Sequence, residues 1–401
     1  MMPTFSFIYS IPYIVLFLLL YANVLPLYKA KTTSSFNYGY SIFTQHFFII
    51  ILLFIFIGLR GFVSTDWQSY HPIYYSTPSL FDGMKSISSF LTWPFENGFL
   101  FYMILCKTIS SNYFFFQFIS FTIDFFVLYY FFKRTIPKFI ILGFTFFILF
   151  SGIVMEFNLL RNSKAIMLFL ISLKYVEKKS FTKYAILNII GALFHITSLL
   201  YLPLYFVLDK RYSRTIIISL FIVGNLVFLS QLEWCRSIIS SISPLIPGRM
   251  GFIINAYLSS DFYSGAYGIS IGYLERFFSF VVFYCFSRKL YSINKNNLIY
   301  INAFYLYAFL FLYYSEVAII LGRVTILLIF SYWILYPQVY SLLLKKSRKI
   351  FLLFLFIYGI LKLGLGCSDI YFLYDNALLP YKSYQERLNI SNQHSKYIYE
   401  R

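Results

Sequence analysis

Uninterrupted apolar stretches, each about as long as a bilayer is thick, recur from one end of this chain to the other. Lipid offers the backbone no hydrogen-bond partner, so such a segment must satisfy its own peptide groups, and a continuous run does so as a helix. A membrane β-barrel would instead alternate apolar and polar residues. Only 12% of residues are charged against 60% hydrophobic, whereas soluble domains carry about 25% charged residues. The pattern predicts an all-α polytopic membrane protein, folded as a single integral membrane domain over residues 1–401.

About ten full spans are predicted, over residues 8–28, 44–59, 113–133, 138–156, 162–176, 215–231, 269–287, 297–314, 319–340 and 350–366. The first run is too long for the core of a cleavable signal and is followed by Lys29 and Lys31, so it reads as a retained anchor. The net charge of +18 comes largely from short loops between runs: KAK (29–31), KRTIPK (133–138), EKKSFTK (177–183), DKRYSR (209–214), SRKLYSINK (287–295) and KKSRK (345–349). Cations in short loops mark the cytoplasmic side. They form no separate basic-aromatic patch of the nucleic-acid-binding kind, so no nucleic-acid partner is expected.

One topology keeps all six loops inside. It places residues 60–112, 157–161, 232–268, 315–318 and the tail from 367 to 401 outside, with the loops 60–112 and 232–268 forming an external cap. Residues 97–111 then read as an interfacial helix on the outer face. The same parity constrains AILNIIGALFHITSLLYLPLYFVL (185–208), which has basic flanks at both ends. A straight helix would put those flanks on opposite sides. Two half-helices of about 12 residues, about 18 Å each, turning at ALFHIT, keep both inside but fall short of the roughly 30 Å hydrocarbon core. The pair is therefore predicted to be re-entrant, with His195 lining an outward-facing cavity, the only setting that tolerates non-helical backbone at that depth.

The outward segments gather the polar chemistry. The first loop holds Arg60, Asp66, Trp67, Tyr70, Glu96 and Gly98; EFNLLRNSKA holds Glu156, Arg161 and Lys164; the loop 232–268 holds Arg249, Tyr257 and Asp261; SEVAIILGR holds Glu316 and Arg323; the tail holds Tyr381 and Lys382. Asp124 stands mid-span, where an acid marks a functional candidate. Trp67 and Trp93 read most simply as members of the interfacial aromatic belt. An unpaired cation at a span boundary costs about 2.5–3.5 kcal/mol, so Arg161 and Arg323 need carboxylates or a phosphorylated ligand. Asp66, Glu96, Glu156 and Glu316 are the available acids. Guanidinium forks match phosphate oxygens in pairs, and several converging would suit a diphosphate.

The chain lacks DxD, GxxxxGK[ST] and HExxH, and its four cysteines have no metal-ligand spacing. No metal and no cofactor are expected. A substrate meeting an outward site has to arrive already activated, as a lipid-linked diphosphate does.

The ordered series GLR…TDWQSY, FENGF, LLRNSKAI, ALFHITSLLYLPLYF, GR within an apolar run and LPYKS resembles the Wzy-type O-antigen and exopolysaccharide repeat-unit polymerases, especially the EpsG-like family, over about residues 57–384. Two positions depart from the usual pattern: Asn162 follows Arg161 where glutamine is common, and Thr65-Asp66-Trp67 lacks a glycine before the acid. The resemblance implies a multi-span, GT-C-like glycosyltransferase of the bacterial inner membrane with its active site facing the periplasm. It implies transfer of a glycan from undecaprenyl diphosphate to the terminal sugar of another undecaprenyl-diphosphate-linked repeat unit. Partners are then undecaprenyl-diphosphate-linked oligosaccharides, membrane lipid and a chain-length regulator protein. In that reaction Asp66, Glu96 and His195 are the catalytic candidates for base or acceptor positioner, and Arg161, Arg249 and Arg323 the diphosphate-binding group. Arg60, Tyr70, Tyr257 and Tyr381 are the substrate-positioning candidates, and Arg60 is equally a pair for Asp66. An O-antigen ligase acting on lipid A–core, a lipid-linked oligosaccharide flippase and a membrane acyltransferase using His195 are the competing readings. The flippase predicts internal repeats, which the sequence lacks.

Overall fold

The structure, a computed structural model, describes residues 3–29, 46–245, 268–379 and 381–399. The described residues are helical with no strand; two isolated bridges, Phe5 with Asp369 and Arg60 with Asn376, are the only β pairings among them. In chain order the helices begin with α1 (Phe7–Lys29), α2 (His46–Gly58), α3 (Trp67–Ser76), α4 (Met84–Phe90), α5 (Asn97–Ile109), α6 (Tyr113–Thr135), α7 (Ile140–Asn158), α8 (Leu160–Glu177) and α9 (Phe181–Ala192). They continue through α10 (Arg214–Leu229), α11 (Trp234–Ile242), α12 (Ile271–Ile293), α13 (Asn297–Tyr314), α14 (Ala318–Thr325), α15 (Phe330–Leu342), α16 (Lys345–Gly366) and α17 (Tyr384–Tyr399). The chain divides into two compact units: residues 1–202 with 340–401, and residues 203–339.

Among the described residues, five helices are long and apolar enough to cross a membrane, and up to seven if each of two bent pairs is one span. This is fewer than the ten expected. The difference lies in breaks and polar residues that a count of apolar runs passes over. α10 and the segment from Trp234 meet at 78°, and Leu321–Leu328 meets α15 at 41°. α2 is short, and α8 carries Arg161, Asn162, Ser163 and Lys164 in its first turns.

In the first unit, α1 packs along α16 and α7, and α6 along α2 and α8. One end is tied by the Phe5–Asp369 and Arg60–Asn376 bridges and by the Thr65 amide donating to Asn158 Oδ1 at 3.0 Å. The opposite end carries the Arg134–Glu177 ion pair at 2.6 Å. The start of the first loop, the α7–α8 turn and the tail therefore share one end, as the charge parity of the loops requires. α7 is interrupted at Phe150–Ser151, where Ser151 adopts φ 68°. A Cβ on Gly152 would overlap the Phe147 carbonyl, so only glycine fits there.

The segment 185–208 does fold back. Tyr184 Oη donates to the Tyr201 carbonyl at 2.6 Å, whereas a straight helix would hold those residues about 25 Å apart. The outgoing limb is α9, the chain turns at Leu193–His195, and the return begins as a 3-10 helix over Ile196–Phe206. Phe169 of α8 stacks on Tyr201 with ring centroids 3.6 Å apart, which fixes the hairpin against α8.

α5 is 13 residues long, about 20 Å, too short for a full span. It buries Phe99, Leu100, Met103 and Ile104. Phe62, Trp67, Tyr70, Tyr74, Tyr113 and Phe116 join Phe99 and Leu160 in one aromatic-rich cluster over this end of the unit. Trp67 is thus not a belt residue. It is 2% exposed, and its indole N–H donates to the Ser64 carbonyl at 2.8 Å.

Candidate functional site

The aromatic cluster positions α3 and the start of α8, and with them the first charged group. Leu159 breaks the helix at φ −133°, so α8 starts abruptly and Arg161 is its second residue. The Arg161 Nε donates to Tyr70 Oη at 2.8 Å and Nη1 donates to Glu96 Oε2 at 2.5 Å. The guanidinium lies 4.8 Å over the Phe95 ring. Nη2 remains uncommitted among the described residues. The other Glu96 oxygen accepts from the Ile196 amide at 3.2 Å. Glu96 therefore joins the first loop, α8 and the hairpin tip.

The tip is seated by backbone as well. The Phe99 amide donates to the Leu193 carbonyl at 3.1 Å, and a Cβ on Gly98 would lie 2.7 Å from that same oxygen. The glycine of FENGF is what lets α5 approach the turn. His195 Nδ1 is 2.7 Å from Thr197 Oγ1, which donates to Asn162 Oδ1 at 3.1 Å. The asparagine that departs from the usual pattern thus ties α8 to the hairpin tip.

Asp66 stands at the N-terminal end of α3, where its backbone carbonyl accepts from the Tyr70 amide at 2.9 Å. Burial pushes the Asp66 carboxyl up to about 7, against the Leu160 backbone amide, Arg161 and Arg60, which each lower it. Burial likewise holds the Tyr70 hydroxyl up at about 12, so it stays a neutral partner for Arg161. Asp66, Tyr70, Glu96, Arg161 and His195 are thereby gathered at one end of the first unit, on segments from 66 to 195. A carboxyl with a pKa near neutrality, beside a guanidinium with donors to spare, suits proton acceptance coupled to anion stabilisation.

Other expected residues take different positions. Arg60 is buried; Nη1 donates to the Ile57 carbonyl at 2.8 Å and Nη2 to the Glu156 carbonyl at 2.7 Å, which fastens the first loop to α7. Tyr381 is half exposed and meets Phe114 edge-on with centroids 5.0 Å apart. Lys164 is paired within the bundle to Asp124 at 2.6 Å and donates to the Ser120 carbonyl at 2.8 Å, so the mid-span acid has its own cation. Glu156 is buried too. In the second unit, Arg323 is exposed on α14. Glu316 accepts from the Cys235 and Arg236 amides at 2.6 and 3.2 Å and so caps α11. Arg249, Tyr257 and Asp261 lie outside the described residues.

Phe95, Thr197 and Asn158 contribute contacts that the sequence reading did not assign. Phe95 lies inside the FENGF motif, and Thr197 inside ALFHIT, so their places beside Glu96 and His195 were the available signals.

A family model described as the EpsG family matches residues 43–383. No curated protein and no solved structure gives a match.

Proposed function

The chain belongs to the EpsG family, and we propose that it is a polysaccharide polymerase that extends lipid-linked glycans by one repeat unit per transfer. The donor is a glycan on undecaprenyl diphosphate and the acceptor is the terminal sugar of another lipid-linked repeat unit, in the manner of an O-antigen polymerase of the bacterial inner membrane. The site opens to the periplasm. The observation that carries this reading is Arg161, held by Glu96 and Tyr70 with a donor group left over, beside a carboxyl that burial pushes up to about 7.

In the transfer, an acceptor hydroxyl oxygen bonds to the anomeric carbon as the bond from that carbon to the diphosphate breaks. Asp66 takes the hydroxyl proton. Its raised pKa keeps it near the working pH, where a general base is most effective. The leaving diphosphate gains negative charge, which Arg161 stabilises. Glu96 orients Arg161 and the hairpin tip, and His195 faces the bound glycan from that tip. Tyr70 and Tyr381 position the sugars.

The band pattern of surface glycan in cells lacking this gene tests the reading. Loss of a polymerase leaves lipopolysaccharide capped with one repeat unit, and restoring the chain restores the ladder. Loss of a ligase would leave no repeat units on the core, and an unchanged ladder would remove the polymerase reading.

A further inference from the structure

The second unit carries a cavity of about 220 Å³ between the 209–214 loop, the C-terminal part of α12 and the start of α13. Three guanidinium groups line it, those of Arg211, Arg214 and Arg288, together with Tyr284, Tyr291 and Asn302 among others, and no carboxylate does. Arg211 lies 4.0 Å over the Tyr291 ring and Arg214 4.1 Å over the Tyr284 ring. Stacking of this kind holds a guanidinium plane by its face and leaves its other N–H groups available, while Arg214 Nη2 donates to the Tyr284 carbonyl at 3.3 Å. Asn302 Nδ2 donates to the Leu208 and Lys210 carbonyls at 2.8 and 2.7 Å, which fixes the loop that carries Arg211.

Three like charges around one cavity repel, and the lining itself offers no acid, so an anion entering the cavity is favoured there. A liquid water occupies about 30 Å³, so the space admits something several times larger, the size of a phosphate ester. The cavity sits where α10 begins and α13, a helix long enough to cross a membrane, starts. With α13 taken as a span, its start falls at the level of lipid headgroups. The loops involved are the basic ones that the charge pattern assigns to the cytoplasm.

We infer that this cavity is an anion site that takes the phosphate group of an anionic lipid headgroup, separate from the transfer site. Arg211 and Arg288 supply paired donors to the phosphate oxygens, and Arg214 sits deeper as a third cation. A free phosphate compound shares the chemistry, so the test separates the two sources.

The full-length protein is placed in phosphatidylcholine vesicles, in vesicles containing increasing phosphatidylglycerol, and in phosphatidylcholine vesicles with inorganic phosphate. Phenylglyoxal modification of Arg211 and Arg288 is then followed by peptide mass spectrometry. Phosphatidylglycerol is expected to protect both arginines, with Arg214→Gln raising the half-protecting lipid fraction about fivefold. Arg214→Lys, which keeps the charge, restores most of the protection. Arg288→Gln, at an exposed position, gives an independent reading on Arg211 if Arg214→Gln lowers the yield of folded protein. Protection by inorganic phosphate alone to the same extent supports the anion site and makes a soluble phosphate compound its ligand. The inference is overturned if neither probe protects, or if protection is the same in the arginine variants.

Discussion

Arg161 and Glu96, 65 residues apart in the chain, meet at 2.5 Å, and the second Glu96 oxygen reaches the hairpin tip at Ile196. Both side chains are about one-fifth to one-quarter exposed. The pair is therefore wet enough to receive a substrate and dry enough for its charges to matter. Glu96→Gln removes the charge while keeping a hydrogen-bonding group, and is expected to destabilise the fold by about 1–2 kcal/mol. A double cycle with Arg161→Ala should show coupling, read from the thermal unfolding of detergent-solubilised protein. Additive effects would mean that the contact carries no free energy.

The Asp66 carboxyl binds its proton more tightly in the folded protein, with its pKa raised from 3.8 to about 7. Its contribution to stability is full at low pH and falls as pH climbs from the unfolded value through about 7, then stays level. Asp66→Asn should flatten that part of the stability profile. The same substitution should remove the acid limb of the activity profile, where the base is gained near pH 7. A wild-type limb that survives in Asp66→Asn would assign the proton to another group.

Lys164 and Asp124 form a buried pair, and removing one partner leaves a charge with no counterpart. Lys164→Met is expected to cost about 3–5 kcal/mol and sharply lower the yield of folded protein. The double variant Lys164→Met, Asp124→Leu should recover much of that yield. Recovery without loss of glycan extension would show that the pair serves the fold and not the transfer.

Gly98 allows α5 to reach the turn at Leu193, and a methyl group there meets backbone. Gly98→Ala should cost about 1–3 kcal/mol and shift the hairpin tip away from Glu96. Hydrogen exchange at Phe99 and Ile196 reports this directly. Unchanged protection at both amides would contradict the seating described above.

The fold-back of 185–208 was legible in the sequence because two basic flanks cannot lie on one side of a straight span. It rests in the structure on Tyr184 and Tyr201, whose hydrogen bond no loop charge could predict. The number of spans was less legible. A bend of 78° after α10 leaves no mark on hydropathy. Asp66, Glu96, Arg161 and His195 were each visible as polar residues on outward segments. Their placement on one side was legible too, but the contacts that join them were not, because those depend on an aromatic cluster assembled from Phe62, Tyr74, Phe99 and Phe116. Arg60 shows the converse: the sequence offered it equally as a substrate positioner and as a pair for Asp66, and its guanidinium donates to the backbone carbonyls of Ile57 and Glu156.

Chain extension by the purified protein, supplied with undecaprenyl-diphosphate-linked repeat units in liposomes, tests the account most directly. Wild type should build a ladder of lengthening products, and Arg161→Ala, inserted and folded to the same level, should extend at least about 100-fold more slowly. A ladder of normal length and rate from Arg161→Ala would contradict the account.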